Sequence, residues 1–318
     1  MKDGVILPFA EWLPDYPDLS NPGVIEAKNV LPAAAGYLPL KQLATFGSAL
    51  DARCRGAIAV RDSAANSYNY SGNATKLYSL IDETQTDVSR AAGGAYTLAA
   101  AENWEFAKWG EKVIAVNFND ATQIITLGGA NFAALSGSPP KARHIAIVRE
   151  FVVIANLDDA GTLYPQRVKW SGTNNETQWT PSATTLSDEQ DMLSSAFGGG
   201  GWIMKVTGGE YGLVFMEYTI FRMSFRGSPE VFQFDEVSPG IGTPAKNSVV
   251  PIGDQVFFLG QDGFYKMING TQPIPIGKNK VDKWFFNEID DDFFERMVGA
   301  FSPETTQVAW IFPGSGSS

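Results

Sequence analysis

Histidine and cysteine, the side chains that most often carry nucleophilic or metal chemistry, occur once each in this chain, as His144 and Cys54. A catalytic triad requires a histidine beside a nucleophile and an orienting carboxylate, and no such motif surrounds His144. A zinc site with one histidine and one cysteine would need mainly carboxylate ligands, which is uncommon. We therefore predict a structural or surface role for His144, no catalytic, cofactor-binding or metal-binding residues, and no cofactor.

Two glycine-rich stretches have the glycine content of phosphate-binding loops but lack the other features of those motifs. The dinucleotide fingerprint must open a helix, whereas Gly240-Ile241-Gly242-Thr243-Pro244-Ala245 contains a proline and precedes a strand pattern. The four glycines at 198–201 lack the Lys-Ser/Thr of a phosphate loop and also lead into a strand pattern. The first stretch is predicted to be a turn, and the second a flexible linker or a tight corner.

Clustered charges near the C-terminal end allow two further kinds of chemistry. Calcium prefers several oxygen ligands, but the acidic spacing matches no known loop and favours a solvated helix end. Clustered lysines can contact DNA phosphates, although balancing nearby acids is the commoner use of such cations. The residues concerned are the acids Asp290, Asp291, Asp292 and Glu295 and the lysines Lys278, Lys280 and Lys283.

The elements that must position these residues are short strands separated by turn residues. Gly208-Gly209, Gly253-Asp254 and Asp262-Gly263 lie between runs of β-branched and aromatic residues, the pattern of serial antiparallel hairpins. Strand pairs that begin near Arg143, Trp202, Asn247 and Met297 recur at roughly 45 to 60 residues, in the range of four-stranded propeller blades. A sandwich is the rival fold, but runs such as VVIAN, LVFM and VFFLG are apolar at consecutive positions, as strands covered on both faces should be. We predict an all-β protein with a β-propeller.

Two short helices are also predicted. Val281, Trp284, Phe285 and Ile289 recur at helical spacing within residues 277–290. Residues 186–197 can form another helix with Ser187 as its cap and Gln190 three residues on.

Residues 1–48 form a separate region that is rich in proline. Each of these prolines removes an amide donor and favours extended neighbours, so no central strand is expected here. Aromatic and aliphatic anchors predict an extended arm that lies across another surface as a strap, and they are Trp12, Tyr16, Leu19, Val30, Tyr37 and Leu38. Residues 49–318 are assigned to the propeller, which we expect to be incomplete at its C-terminal end because VAWIF begins a hairpin and GSGSS follows.

Composition excludes several classes of protein. A formal net charge of −11 disfavours tight binding to phosphate backbones or anionic membranes. One cysteine cannot form an internal disulfide, so the chain needs no oxidising compartment. The N-terminal stretch is unlike a signal peptide because Pro8 interrupts its apolar run, and no window has the roughly twenty apolar residues of a membrane span. Cytoplasmic synthesis without membrane insertion is expected.

A propeller also has to be tested for glycosidase chemistry. Sialidases use an arginine cluster, and Arg143, Arg167 and Arg222 are the candidates that could converge in a funnel. The sialidase repeat S-x-D-x-G-x-x-W is absent, and its nearest relative runs from Trp170 to Trp179. We expect these two tryptophans to cap a blade edge or to pack over its loop.

Three long segments resemble the propeller-containing tail nozzle or hub proteins of short-tailed bacteriophages, also called packaged-DNA stabilisation or virion-associated proteins. The segments are GGEYGLVFMEYTIFRMSFRGSPEVFQFDEVSPGIGT, QVFFLGQDGFYKMINGTQPIPIGKNKVDKWFFNEID and MVGAFSPETTQVAWIFP. The opening FAEWLPDYPDLSNPGVIEAKNVLPAAAGYLPL is similar to the extended arm of such proteins. The most specific block covers residues 208–290. Relatives normally continue past the final hairpin, whereas this chain stops at Ser318.

The resemblance implies a non-enzymatic structural component of the virion. It implies a homo-oligomeric ring, a hexamer, below the portal and adaptor proteins, which retains packaged DNA and conducts it during ejection without sequence-specific binding. The acidity of the chain suits such a conduit, because a negative lumen repels phosphate. The alternative is a host glycan-binding or glycan-cleaving propeller used for attachment, and a third reading is a cellular propeller that serves as an interaction scaffold.

Overall fold

Short antiparallel strands dominate the computed structural model, which describes residues 10–33, 36–42, 44–195 and 198–316. The chain divides into two compact units. The larger unit comprises residues 46–246 and 270–272, and the smaller unit comprises the described parts of 1–45, 247–269 and 273–318.

The smaller unit begins with the arm, which contains one short hairpin, β1 (Val30–Ala33) with β2 (Gly36–Pro39). The larger unit then consists of four sheets, each made of four consecutive antiparallel strands. Blade 1 contains β3 (Ala57–Arg61), β4 (Ser67–Gly72), β5 (Leu77–Ile81) and β6 (Thr84–Asp87). Blade 2 contains β7 (Glu105–Trp109), β8 (Lys112–Val116), β9 (Gln123–Thr126) and β10 (Ala133–Ala134).

The next two blades complete the larger unit. Blade 3 contains β11 (Lys141–Val148), β12 (Phe151–Asp159), β13 (Thr162–Trp170) and β14 (Asp188–Asp191). Blade 4 contains β15 (Ile203–Thr207), β16 (Gly212–Met216), β17 (Thr219–Phe225) and β18 (Phe232–Pro239). The first strands of successive blades contact one another, β3 with β7, β7 with β11, and β11 with β15. Side chains on these first strands can therefore meet although they are far apart in sequence.

The smaller unit supplies a fifth four-stranded sheet and the only α-helix among the described residues. Blade 5 contains β19 (Val250–Ile252), β20 (Gln255–Leu259), β21 (Phe264–Ile268) and β22 (Ile274–Pro275). Helix α1 (Asp282–Glu288) and the hairpin of β23 (Val298–Ser302) with β24 (Gln307–Ile311) follow. Five sequential four-stranded antiparallel sheets define an all-β propeller protein, as the sequence predicted.

The middle blades are covered on both faces. This confirms the prediction that strands with continuous apolar runs are buried on both sides. On β12, Phe151 and Val153 join a core shared with blade 4, while Val152 and Ile154 join a core shared with blade 2. Strand β8 is divided in the same way between blades 1 and 3. Stacking small sheets thus buries apolar surface that no single sheet can bury.

The second strand of blade 1 differs from its counterparts. Tyr70 lies in the core shared with blade 2, but its neighbours Asn69 and Ser71 on the opposite face are exposed or half-buried. Alternation of this kind is typical of a strand with one wet face.

One predicted helix is confirmed in shortened form, and the other is wrong. Helix α1 covers the centre of the predicted 277–290 segment. Residues 188–191 instead form strand β14, because Arg167 on β13 binds Asp191, and Lys169 on β13 binds Glu189. Such cross-strand ion pairs stabilise an edge strand.

The proposed cap of that helix has a different partner. Ser187 Oγ donates a hydrogen bond to Trp170 O over 2.9 Å, which fixes the entry into β14. The end of the predicted helix, residues 196 and 197, lies outside the described residues.

Within the smaller unit, the proline-rich arm is fastened to α1. The N-cap residue of α1, Val281, makes no side-chain capping hydrogen bond. Asp15 of the arm supplies this function, because its carboxylate accepts hydrogen bonds from the backbone N–H groups of Lys283 (2.7 Å) and Trp284 (2.8 Å). Trp12 packs edge-on against Trp284 with ring centroids 4.6 Å apart.

Candidate functional site: a charged cluster on the first strands

Six ionisable side chains of the larger unit meet where its first strands contact one another. Two belong to β11, one begins β7 and one lies in β15, while the others lie in the segments that precede β7 and blade 5. We call them the first-strand cluster, and they are Glu102, Glu105, Arg143, His144, Lys205 and Lys246.

His144 is the fully buried centre of this cluster. Its Nδ1 lies 2.9 Å from Glu105 Oε1, and its Nε2 lies 3.1 Å from the carbonyl oxygen of Ile203. The same carbonyl accepts a hydrogen bond from Asn156 Nδ2 over 3.0 Å. Burial lowers the pKa of His144, which favours the neutral ring. Both neighbours of the ring are acceptors, and a neutral ring has one N–H group, so it donates to one of them only. From blade 3, the ring contacts blade 2 through Glu105 and blade 4 through Ile203.

Glu105 is buried and ionised. Burial alone would raise its pKa, but the nearby charge of Lys205 and the contact with His144 outweigh burial and lower the pKa to about 2. Lys205 Nζ lies 2.9 Å from Glu105 Oε1. A carboxyl group with so low a pKa is a poor general acid near neutral pH.

Arg143 and Lys246 share a second carboxylate. Arg143 Nε lies 2.9 Å from Glu102 Oε1, and Lys246 Nζ lies 3.8 Å from Glu102 Oε2. Lys246 also donates a hydrogen bond to Ala101 O over 3.2 Å. Burial lowers the pKa of Lys246, and the like charges of Arg143 and Lys205 act in the same direction.

Aromatic rings flank Arg143 at the edge of the cluster. The guanidinium carbon lies 3.5 Å from the ring centroid of Phe118 and 5.6 Å from that of Trp202. Trp202 is about half exposed, and its backbone N–H donates to the Glu217 carboxylate over 3.1 Å. The cluster thus has a buried floor of ion pairs and hydrogen bonds and a basic, aromatic edge that solvent reaches.

His144 is a buried member of the cluster, and the three candidate arginines do not converge. Only Arg143 belongs to the cluster. Arg167 binds Asp191 and Glu189, both at 2.7 Å, and Arg222 lies over the ring of Tyr211 at 4.4 Å. The three guanidinium groups have no partner in common, so the sialidase arrangement is not formed.

The glycine-rich stretches form turns. A side chain at Gly242 would place its Cβ 2.2 Å from Met216 O, which explains the need for glycine in this close approach. The glycines at 198–201 all have positive φ, and a Cβ at Gly201 would lie 2.3 Å from Glu217 Oε2. The second stretch is therefore a tight corner that leads into β15.

The two candidate tryptophans are core residues. Trp170 packs in the core of blades 3 and 4, and its Nε1 donates to Leu186 O over 2.9 Å. Trp179 packs in the core of blades 2 and 3, and its Nε1 donates to Glu176 O over 2.7 Å. Both indoles hold the long connection between β13 and β14 against the sheets.

In the smaller unit, the acidic candidates lie in or beside a short 3₁₀ helix, and the lysines lie in the segment before α1 or in its first turn. Residues 291–296 form a 3₁₀ helix, in which Glu295 pairs with Arg296 at 3.6 Å. Lys280 pairs with Glu11 of the arm at 2.7 Å. Within the described ranges, no group of three histidine, cysteine or acidic side chains is arranged to hold a metal ion.

Sequence reasoning singled out Arg143 and His144 but missed their partners. Glu105, Lys205 and Lys246 each resemble an ordinary surface charge in the sequence. The one available signal was their position at or near the start of a predicted strand pair, where first strands of successive blades meet.

The architecture places the chain in the class of β-propeller proteins. No family model and no curated protein matches the sequence. Among solved structures, YCF48 from Cyanidioschyzon merolae is similar, with 9% identity, a TM-score of 0.46 and coverage of 78% of this chain and 79% of that one. The extracellular domain of a hybrid two-component system from B. thetaiotaomicron aligns with 10% identity and a TM-score of 0.47 over 71% of this chain.

This chain spans 28% of the length of that extracellular domain. It spans 66% of the WD40 domain of Neurospora crassa Pan2, which aligns with 9% identity and a TM-score of 0.40 over 70% of this chain. Likenesses at this level concern the fold alone. In the part of the chain that is described, no helix has both the length and the apolar character needed to cross a bilayer.

Proposed function

We propose that this protein is a structural component of a bacteriophage tail, a nozzle or hub subunit that assembles into a ring. The resemblance over residues 208–290 and the propeller fold support the proposal. The ring would be homo-oligomeric, a hexamer below the portal and adaptor, and it would retain and conduct DNA without reading its sequence.

The observation that carries the proposal is the exposure of large apolar side chains on the arm. Trp12 and Asp15 fasten it to α1, yet several of its large apolar side chains, Leu19, Ile25, Leu38 and Leu40, are exposed to solvent. Exposed apolar side chains concentrated on one segment are typical of a surface that a neighbouring molecule covers. An arm that straps one subunit to the next would bury them on assembly.

The mass of the purified full chain in solution, and its occurrence in purified virions, test this proposal. We expect a ring of several subunits for the wild-type chain and a shift to monomer for the triple variant Leu19→Ser, Ile25→Ser, Leu38→Ser. Leu163→Ser, which changes an equally exposed leucine of the larger unit, is the matched control and should keep the ring. A wild-type chain that stays monomeric and is absent from virions would contradict the proposal.

The second candidate is a host glycan-binding propeller used for attachment. The half-exposed Trp202 beside Arg143 favours it, because aromatic and basic groups at one edge suit a polar ligand with an apolar face. A monomer that binds or depolymerises host polysaccharide would support this candidate over the tail ring.

A further inference from the structure

The first-strand cluster carries more positive than negative charge. Among the described residues, the cations Arg143, Lys205 and Lys246 form ion pairs with two carboxylates, Glu102 and Glu105, while the Glu217 carboxylate binds the backbone of Trp202 at the edge. Since His144 is neutral when its pKa is lowered by burial, it does not change this balance at neutral pH. A positive excess is unexpected at a partly buried position in a chain whose formal net charge is −11. A bound anion would remove the cost of holding an uncompensated charge there.

The contacts of Arg143 fix its guanidinium group in a position where it can bind such an anion. Its Nε binds Glu102, and its Nη1 donates to Asn156 Oδ1 over 2.8 Å. Among the described residues, the remaining terminal nitrogen, Nη2, has no hydrogen-bond partner. Stacking on Phe118 fixes the plane of the guanidinium group, so little side-chain entropy is lost when a ligand binds.

Lys246 gives the site a second cation and indicates the chemistry of the anion. Glu102 already places one carboxylate between Lys246 and Arg143. Because one oxygen of Glu102 lies near Arg143 and the other near Lys246, the spacing of the two cations suits a carboxylate group. A carboxylate also matches the geometry of an arginine guanidinium group. The Glu102 carboxylate also competes with any external anion for the same two cations.

Trp202 indicates what the carboxylate is attached to. Its indole is about half exposed, lies beside the guanidinium of Arg143, and is positioned by the hydrogen bond of its backbone N–H with Glu217. A flat aromatic face beside a carboxylate site suits a ring-shaped ligand with one apolar face and several hydroxyl groups. These are the features of an acidic sugar.

We propose that the edge of the first-strand cluster binds the carboxylate of a uronic acid, with Arg143 Nη2 and Lys246 as its cationic partners and Trp202 as its stacking surface. The inference does not depend on the tail role, because a ring subunit and a monomeric attachment protein can both carry such a site. It assigns binding and no bond cleavage.

Calorimetric titration of the full-length protein with sodium glucuronate tests the proposal, with glucose as the neutral sugar and a short glutamate peptide as the other source of carboxylate. We expect millimolar binding of glucuronate that weakens with added salt, and no binding of glucose. Trp202→Ala and Arg143→Lys should each weaken binding at least about fivefold, because the first removes the stacking surface and the second removes the planar fork.

Glu102→Gln provides a test in the opposite direction. Removing the competing negative charge should strengthen glucuronate binding, whereas damage to the fold would weaken it. Phe46→Ala and Arg61→Lys change exposed residues of the larger unit outside the cluster and should leave binding unchanged.

Three results of the titrations of the wild-type protein would overturn the proposal. They are the absence of glucuronate binding up to about 10 mM, equal binding of glucose, and binding of the glutamate peptide in place of glucuronate. Binding that survives Trp202→Ala unchanged would also contradict it, and this exposed position makes that variant a reliable test even where Arg143→Lys fails to fold.

Discussion

Blades 3 and 4 and the N-terminal arm are held in place by different interactions. In the two blades, consecutive residues of both β12 and β16 are buried, and alternate residues of each strand join the core that the blades share. The arm has short strands with mostly exposed side chains, and a few specific contacts attach it to α1.

This difference means that the two blades act as a stable scaffold, whereas the arm is a segment that can be rearranged. Apolar burial over large areas stabilises the blades, and each of their residues contributes to the global free energy of unfolding. Among the described residues, the contacts that attach the arm include the Asp15 carboxylate, the Trp12 ring, the ion pair of Glu11 with Lys280, and hydrogen bonds from Asp15 N to Lys280 O and from Gln307 Nε2 to Pro32 O. Because these contacts are few and lie at the surface, release of the arm should leave the blades intact. The following predictions test this division from the largest expected effect to the smallest.

Phe151→Ala should have the largest effect on the blades. Phe151 is fully buried and its ring contacts Phe225 and Phe232, so truncation leaves a cavity in the core of blades 3 and 4. We expect a loss of about 3 to 5 kcal/mol in the free energy of unfolding, measured by chemical denaturation. A loss below about 1 kcal/mol would show that this core does not stabilise the unit.

Glu105→Gln should destabilise the larger unit by about 3 kcal/mol, because it leaves Lys205 and His144 without their shared carboxylate. It should also change the pH dependence of stability. The folded pKa of Glu105 is about 2, below its ordinary value of 4.5, so the wild-type carboxylate contributes fully above pH 4.5 and loses its contribution as the pH falls toward 2.

Denaturation curves between pH 7 and pH 2 check this prediction. The difference between the wild-type protein and Glu105→Gln should shrink as the pH falls through that window. A difference that stays constant with pH would mean that Glu105 is not held in its charged form by the cluster.

Asp15→Ala should release the arm without unfolding the blades. The substitution removes the acceptor for the first N–H groups of α1, a capping interaction worth about 1 kcal/mol. Hydrogen exchange should become faster at the amides of Lys283 and Trp284 and stay unchanged in β12. Asp18→Ala, on the same arm but without such a contact, is the control, and equal acceleration in both variants would contradict the capping role.

Lys280→Met should have the smallest effect. Its ion pair with Glu11 lies on the surface, where the expected contribution is about 0 to 1 kcal/mol and is screened by salt. Thermal denaturation at low and high salt measures it. A loss as large as that of Asp15→Ala would show that the ion pair, and not the cap, holds the arm.

The sequence by itself determined the strands, the turns between them and the arm. Turn residues such as Gly208-Gly209 and Asp262-Gly263 act locally, and continuous apolar runs are required wherever neighbouring sheets cover both faces of a strand. The helix centred on Trp284 was predictable for the same reason, because its apolar residues recur at helical spacing.

Only the tertiary structure decided the strand at 188–191 and the first-strand cluster. Local preference allowed a helix at 188–191, and pairing of Asp191 with Arg167 overrode it. Glu102, Arg143 and Lys246 lie up to 144 positions apart in the chain, and they meet because the first strands of successive blades are neighbours. Such contacts depend on how the sheets stack, and no periodicity within a single strand encodes that arrangement.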